Sequence, residues 1–313
     1  MTVPRAPGAL AHTGGTAEEL LRRLELDILR KLDGLLHGEY TGLVPGHGTE
    51  PGETREYQPG DDVRRIDWNV TARTATPHVR EPIADRELES WLLVDASSSL
   101  AFGTANCEKR DLALAAVAGI GFLTARTGNR LGAIIHRQGE NSTFPARNGR
   151  KHLLAILHRL ATTEAVDGEG DTELGPAIHR LNQLERRRGL SVVISDFIGS
   201  GGWEKPLATL AVRHDVLCIE IIDPREMDLP DVGVLAVVDP ETGERREIHT
   251  GSEKLRRRYR EAAAEQREQI GRSIRSAGAD HLVLRTDRDW LLDMARFVSR
   301  RKDRKQELSR PVR

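Results

Sequence analysis

Residues 190–196 read LSVVISD, that is Leu190-Ser191-Val192-Val193-Ile194-Ser195-Asp196. The run is apolar almost throughout, rich in β-branched residues and too short for a stable helix. It therefore reads as a strand buried on both faces, and it ends on a carboxylate. Two other runs have the same form: 90–94 (SWLLV) stops at Asp95, and 216–222 (VLCIEII) stops at Asp223. Residues 131–136 (LGAIIH) and 281–285 add two further strands. Helical spacing of apolar residues predicts helices over 110–125, 149–161, 174–188, 203–213, 253–277 and 289–300. Residues 232–238 and 245–249 flank the turn Pro240-Glu241-Thr242-Gly243 and read as a β-hairpin. Apolar strands alternating with helices imply an α/β fold, with a doubly wound, mainly parallel sheet over 88–300. In such sheets ligands bind beyond the carboxyl ends of the strands, which directs attention to Asp95 and its followers, Asp196 and Asp223.

Upstream, the texture differs. Residues 1–17 are rich in Pro, Gly, Ala and Thr and are expected to be a disordered tail. Residues 18–36 repeat Leu at helical spacing and predict an amphipathic helix. Gly- and Pro-rich turns follow, and 55–80 (REYQPGDDVRRIDWNVTARTATPHVR) is expected to hold short strands and turns. The chain thus divides into the tail, an N-terminal helix with a small β-rich segment (18–87), the α/β domain (88–300) and a basic tail (301–313).

Composition narrows the function classes. The chain has 313 residues and two cysteines, Cys107 and Cys218, too few for a disulfide scaffold or a Cys-based zinc ribbon. Sparse thiols fit a reducing cytoplasm. The longest uncharged run, 112–125, is too short to span a bilayer and reads as a buried helix. The N-terminus lacks the form of a signal peptide. A net charge of −1 argues against nucleic-acid binding. Residues 253–313 carry 18 Lys and Arg against 10 Asp and Glu, which a solvated helix and a basic tail explain.

The residues that carry chemistry cluster after the strands. Asp95-Ala96-Ser97-Ser98-Ser99 places oxygens at i, i+2 and i+4. Gly170-Asp171-Thr172-Glu173 is a turn that opens a helix, and Asp196 closes the LSVVIS strand. These are hard oxygen donors, suited to Mg²⁺ or Mn²⁺ rather than Zn²⁺. Each piece also has a purely structural reading. Ser97, Ser99 and Thr172 could cap helices, and Asp196 could be a turn residue. Asp223-Pro224 reads as structural, and His214 alone is not a ligand set.

Asp-x-Ser-x-Ser with a later Thr and a later Asp resembles the metal-ion-dependent adhesion site (MIDAS) of von Willebrand factor A domains. GEYTG, REYQPGDDVRRIDWNVTAR, LLVDASSSLAFG, GDTELGPAI, VVISDF, HDVLCIEIIDPRE and LPDVG, spread over about 35–284, resemble the bacterial DUF58 family. This resemblance implies a von Willebrand factor A-like fold. It also implies a Mg²⁺ (or Mn²⁺) site built from Asp95, Ser97, Ser99, Thr172 and Asp196, and partnership with a MoxR-type AAA+ ATPase. Many relatives carry membrane helices before this region and this sequence does not, so the expectation is a cytoplasmic protein with no membrane span.

With few carboxylates around it, such an ion keeps positive character and accepts an acidic residue from a client protein, with no catalytic group required. The expected function is therefore a non-enzymatic, metal-dependent interaction adaptor. A metal-dependent phosphohydrolase is the alternative, weakened because position 97 is Ser97 where the second carboxylate of such enzymes would stand. Nucleic-acid binding through the basic C-terminal helix is a third reading. Asp95→Ala is expected to weaken Mg²⁺ binding with little loss of fold, because an exposed loop ligand carries little core packing. The REYQPGDD block is read as either an ion-pair network or a partner surface.

Overall fold

The computed structural model describes residues 54–58, 61–63, 66–80, 89–103, 106–137, 140–163, 173–199, 201–238 and 245–309. These fall into two units, one within 45–87 and one from 88 onward.

In the smaller unit, β1 (Thr54–Glu56) precedes α1 (Trp68–Thr74) and pairs antiparallel with β2 (His78–Arg80). The helix was not expected from the sequence. It starts because Asp67 caps it, accepting from the backbone N–H groups of Asn69 and Val70. Arg55 grips Asp61 through two guanidinium nitrogens, each at 2.7 Å. This part of the REYQPGDD block is thus an internal ion pair.

The larger unit runs β3 (Glu89–Asp95), α2 (Lys109–Arg126), β4 (Arg130–Arg137), β5 (Glu140–Arg147), α3 (Arg150–Ala161), α4 (Leu174–Leu184), β6 (Leu190–Ser195), α5 (Glu204–Arg213) and β7 (Asp215–Ile222). It continues with β8 (Val234–Val238), β9 (Arg245–His249), α6 (Glu253–Ser276), β10 (Asp280–Arg285) and α7 (Trp290–Ser309). Six strands form one sheet in the order β10-β7-β6-β3-β4-β5. All neighbours are parallel except β4 and β5. Strands β8 and β9 form the expected hairpin.

Apolar packing covers both faces. Leu92, Val94, Ile194 and Ile219 face a core shared with α2, α3 and α7, while Leu93, Val193 and Cys218 face a core shared with α4, α5 and α6. Helix α2 is buried from Leu112 to Thr124, as its uniformly apolar sequence requires. It packs so close to α3 that a Cβ on Gly121 would lie 2.2 Å from Leu153 Cδ1. The architecture is the α/β one expected, with a mostly parallel sheet between two layers of helices.

Three elements differ from the sequence reading. Strand β5 (ENSTFPAR) was not foreseen, because an edge strand needs only one partner and carries little apolar signal. Helix α4 stops at Leu184, short of 188. Glu185 there leaves the helix to bury its carboxylate beside His214 (Nδ1 to Oε1, 3.1 Å) and the Ser191 hydroxyl. Helix α7 continues to Ser309, through residues assigned to a basic tail. Arg301 is buried and donates to Asp280 at 2.6 Å and to Asp215. The expected tail over 1–17, the helix over 18–36 and the hairpin turn at 240–243 lie outside the described residues. No described helix is long and apolar enough to cross a membrane.

Candidate metal centre

Because β3, β4, β6, β7 and β10 run parallel, their carboxyl ends share one edge of the sheet. Strand register then assembles a row of polar residues there. Asp95 pairs with His136, and Ser195 pairs with Glu220. Side chains alternate along a strand, so each of these lies two residues beyond a neighbour on one face: Leu93, Ile134, Val193 and Cys218.

Asp95 is the last residue of β3 and is buried. The Ser195 hydroxyl donates to its Oδ2 at 2.7 Å, and the Ser97 backbone N–H donates to its Oδ1 at 2.9 Å. It is therefore not an exposed loop ligand, and the expectation that Asp95→Ala spares the fold does not suit this setting. Ser97 and Ser99 follow at the start of a short 3₁₀ turn, Ser98–Ala101. Ser97 occupies the N-cap position, but its side chain makes no capping bond. Its Oγ lies 3.0 Å from Ser99 Oγ instead. Asp95, Ser97 and Ser99 are thus brought together by one strand end and one turn.

Asp196 follows Ser195 directly and is fully buried on the α2 side. Its Oδ1 accepts from the Ile198 N–H at 3.1 Å, and its Oδ2 accepts from Lys109 Nζ at 2.7 Å. The next residue, Phe197, adopts a left-handed φ of 55°. That costs a non-glycine residue about 1–2 kcal/mol. The Phe197 N–H to Ser195 Oγ bond (3.0 Å) and the edge-on contact of its ring with Trp203 (5.2 Å between centroids) hold it there. Thr172 lies outside the described residues. Helix α4 begins just after it, with Glu173 at the N-cap and Gly175 close against the backbone of Gly202.

Lys109, Glu226, Arg267, Ser195 and His136 are the parts of this edge that sequence reasoning missed. The Lys109 ammonium bridges Asp196 and Glu226. Arg267 binds Glu226 at 2.8 Å, Glu220 at 3.1 Å and the Asp196 carbonyl at 2.9 Å. His281 contacts Glu220 at 2.7 Å. His136 meets Asn141 through Nδ1 at 2.7 Å, while its buried Nε2 has no hydrogen-bond partner among the described residues. Only Glu226 carried a visible signal, within the IDPRE string. Asp223 is structural, as expected: it accepts from the Arg225 N–H and the Thr286 hydroxyl. His214 opens the opposite edge, beside Glu185.

The two carboxyls are driven in opposite directions. Burial first, and the Asp196 charge second, push the Asp95 carboxyl above the usual carboxylate range, against the pull of Ser195 and Ser97. Burial acts on Asp196 in the same sense, but Lys109 more than reverses it and holds that carboxyl below its usual range.

Does this donor set fit Mg²⁺? Among the described residues, no group of three or more His, Cys, Asp or Glu side chains is placed to hold an ion. The set is instead a carboxylate and two hydroxyls, with a second carboxylate beside them. The 3.0 Å between the two serine oxygens is the spacing of neighbouring corners in an octahedron with bonds of about 2.1 Å. Asp95, Ser97 and Ser99 fit such an ion. Asp196 has one oxygen already engaged by Lys109.

Comparison with known proteins bears on the family. The family described as "Protein of unknown function DUF58" matches residues 53–269. The chain belongs to the DUF58 family. Similar chains include the uncharacterized protein Rv1480 of Mycobacterium tuberculosis and the uncharacterized protein Mb1516 of Mycobacterium bovis. Each is 54% identical over 282 residues, 90% of this chain and 89% of the relative. Among solved structures, the conserved hypothetical protein BatB of Bacteroides thetaiotaomicron aligns with a TM-score of 0.40 and 14% identity. It covers 69% of this chain and 99% of BatB. The SpRpn10 VWA domain aligns with a TM-score of 0.37 and 15% identity, covering 67% of this chain and 94% of that domain.

Proposed function

We propose that this DUF58 chain is a non-enzymatic, metal-dependent protein-interaction module, in which Asp95, Ser97 and Ser99 hold Mg²⁺ or Mn²⁺ and Thr172 and Asp196 complete the site. The observation that carries this reading is the Ser97–Ser99 hydroxyl pair beside Asp95 at the sheet's carboxyl edge. A bound ion would supply Lewis acidity toward an anionic ligand. The chain's own residues then orient and desolvate that contact: Ser195 fixes the Asp95 carboxylate, and Phe197 fixes the backbone after Asp196.

The partner chemistry that suits the site is a Glu or Asp of a client protein. On the family resemblance, the module works in the cytoplasm as an adaptor with a MoxR-type AAA+ ATPase in assembly or maturation of that client. The test is an affinity capture from the native organism. It compares Mg²⁺ with EDTA, and wild type with Ser97→Ala/Ser99→Ala. Recovery of an AAA+ ATPase only by wild type in Mg²⁺ is the expected result. The same partners under all four conditions would overturn the metal-dependent reading.

A further inference from the structure

Lys109 is the one buried lysine among those described. Its ammonium is held between Asp196 Oδ2 at 2.7 Å and Glu226 Oε1. Glu226 turns its other oxygen to Arg267 at 2.8 Å, and Arg267 also donates to the Asp196 carbonyl at 2.9 Å. Asp196 is thus gripped at its carboxylate and at its carbonyl by two cations, both anchored on Glu226. The side chains of Lys109 and Asp196 are sealed from water, at 1% and 0% exposure, so solvent screening is weak. Burial alone would favour loss of the Lys109 proton, but the Asp196 and Glu226 carboxylates outweigh it and raise its affinity for that proton.

The charge at the edge follows from this. Asp95 and Asp196 together would neutralise a divalent ion completely, leaving nothing to attract an anionic ligand. Lys109 balances Asp196 and Arg267 balances Glu226, which leaves Asp95 as the carboxylate that faces the ion. Lys109 also occupies Asp196 Oδ2, while the Ile198 N–H occupies Oδ1, so both oxygens already accept from the chain.

We propose that Lys109 is a resident cation of the site: it keeps Asp196 from closing directly on the divalent ion and leaves the loaded centre positively charged, so that the site selects a carboxylate-bearing ligand. Lys109 acts here as a positioning and specificity-determining residue, not as a ligand. The inference rests on the metal-dependent reading above and deepens it.

The test uses Mn²⁺ as the ion and acetate as the carboxylate probe, with Mn²⁺ followed by electron paramagnetic resonance. Lys109→Met/Glu226→Gln removes one charge of each sign, so the net charge of the buried cluster is kept. Glu226→Gln alone leaves Lys109 with Asp196 as its only anionic partner. The double variant is expected to bind Mn²⁺ about tenfold more tightly, and its Mn²⁺-loaded form to bind acetate about tenfold more weakly. Glu226→Gln alone is expected to weaken Mn²⁺ binding several-fold. A purely structural role would weaken Mn²⁺ binding in both. Wild-type affinities in a double variant that keeps its circular dichroism spectrum would overturn the role of Lys109 and leave the metal reading intact. If the double variant does not fold, unchanged or tighter Mn²⁺ binding by Glu226→Gln would overturn it. No Mn²⁺ binding by wild type would overturn both.

Discussion

The Ser195 hydroxyl donates to Asp95 Oδ2 at 2.7 Å, tying the end of β6 to the end of β3 across 100 residues of chain. Both side chains are buried, and the same Ser195 oxygen accepts from the Phe197 N–H. Asp95 is therefore a structural acceptor as well as a candidate ligand.

Removing that acceptor has a stability consequence. Asp95→Ala strands the Ser195 hydroxyl and the Ser97 N–H in the interior. We expect a loss of about 1–3 kcal/mol, the usual range for buried donors left unpaired. Ser195→Ala should cost about 1 kcal/mol through the Phe197 N–H. Urea denaturation of both variants measures this, and a wild-type midpoint for Asp95→Ala would contradict the geometry.

Arg301 locks the last helix to the sheet. It is buried, and it donates to Asp280 at the start of β10 and to Asp215 at the start of β7. Arg301→Ala should destabilise the fold by about 2 kcal/mol, and Arg301→Lys should recover little, because Arg301 reaches its two carboxylates from separate nitrogens, Nε and Nη2, and a lysine has one. Hydrogen exchange across 290–300 should rise in both variants. Protection equal to wild type would show that this pair of contacts is not what holds this helix.

Trp91 and Gly132 are register partners on β3 and β4. A Cβ at position 132 would lie 2.6 Å from the Trp91 ring. Gly132→Ala should therefore overpack the core and cost about 1–3 kcal/mol. Thermal unfolding checks this, and pairing it with Trp91→Phe should relieve part of the loss.

The smaller unit has its own pH signature. Asp61 is held at a pKa of about 2, chiefly by its hydrogen bonds from Arg55 and then by the Gln58 N–H. A carboxyl depressed below its unfolded value of about 3.9 contributes stability above that value and loses it as pH falls through the folded one. The contribution should thus be complete at pH 5 and fade between about 4 and 2. Carbon-13 NMR titration should show Asp61 still ionised near pH 3, and Arg55→Ala should return it to the ordinary range. An ordinary midpoint in wild type would rule the pair out as its cause.

Much of the fold was legible because its cause is local. LSVVISD, SWLLVD and VLCIEII read as buried strands from composition alone, and the structure places them as β6, β3 and β7, side by side. The apolar run 112–125 read as a buried helix and lies within α2. Strand β5 was missed because most of its residues meet water and its sequence carries no apolar alternation strong enough to mark it. The early stop of α4 was missed because Glu185 leaves the helix for His214, a partner 29 residues on.

The candidate site divides along the same line. The sequence by itself determined that Asp95 and Asp196 end strands of one parallel sheet, and that Ser97 and Ser99 follow in a turn. Tertiary structure alone decided that Asp95 is buried under Ser195, that Lys109 pairs with Asp196 from 87 residues away, and that Glu226 and Arg267 complete the grip. The physical reason is that apolar periodicity is written within one element, whereas a buried charge finds its partner only once strand order has set which loops meet. In a string such as EKRDL, a lysine destined for the interior looks the same as one bound for solvent.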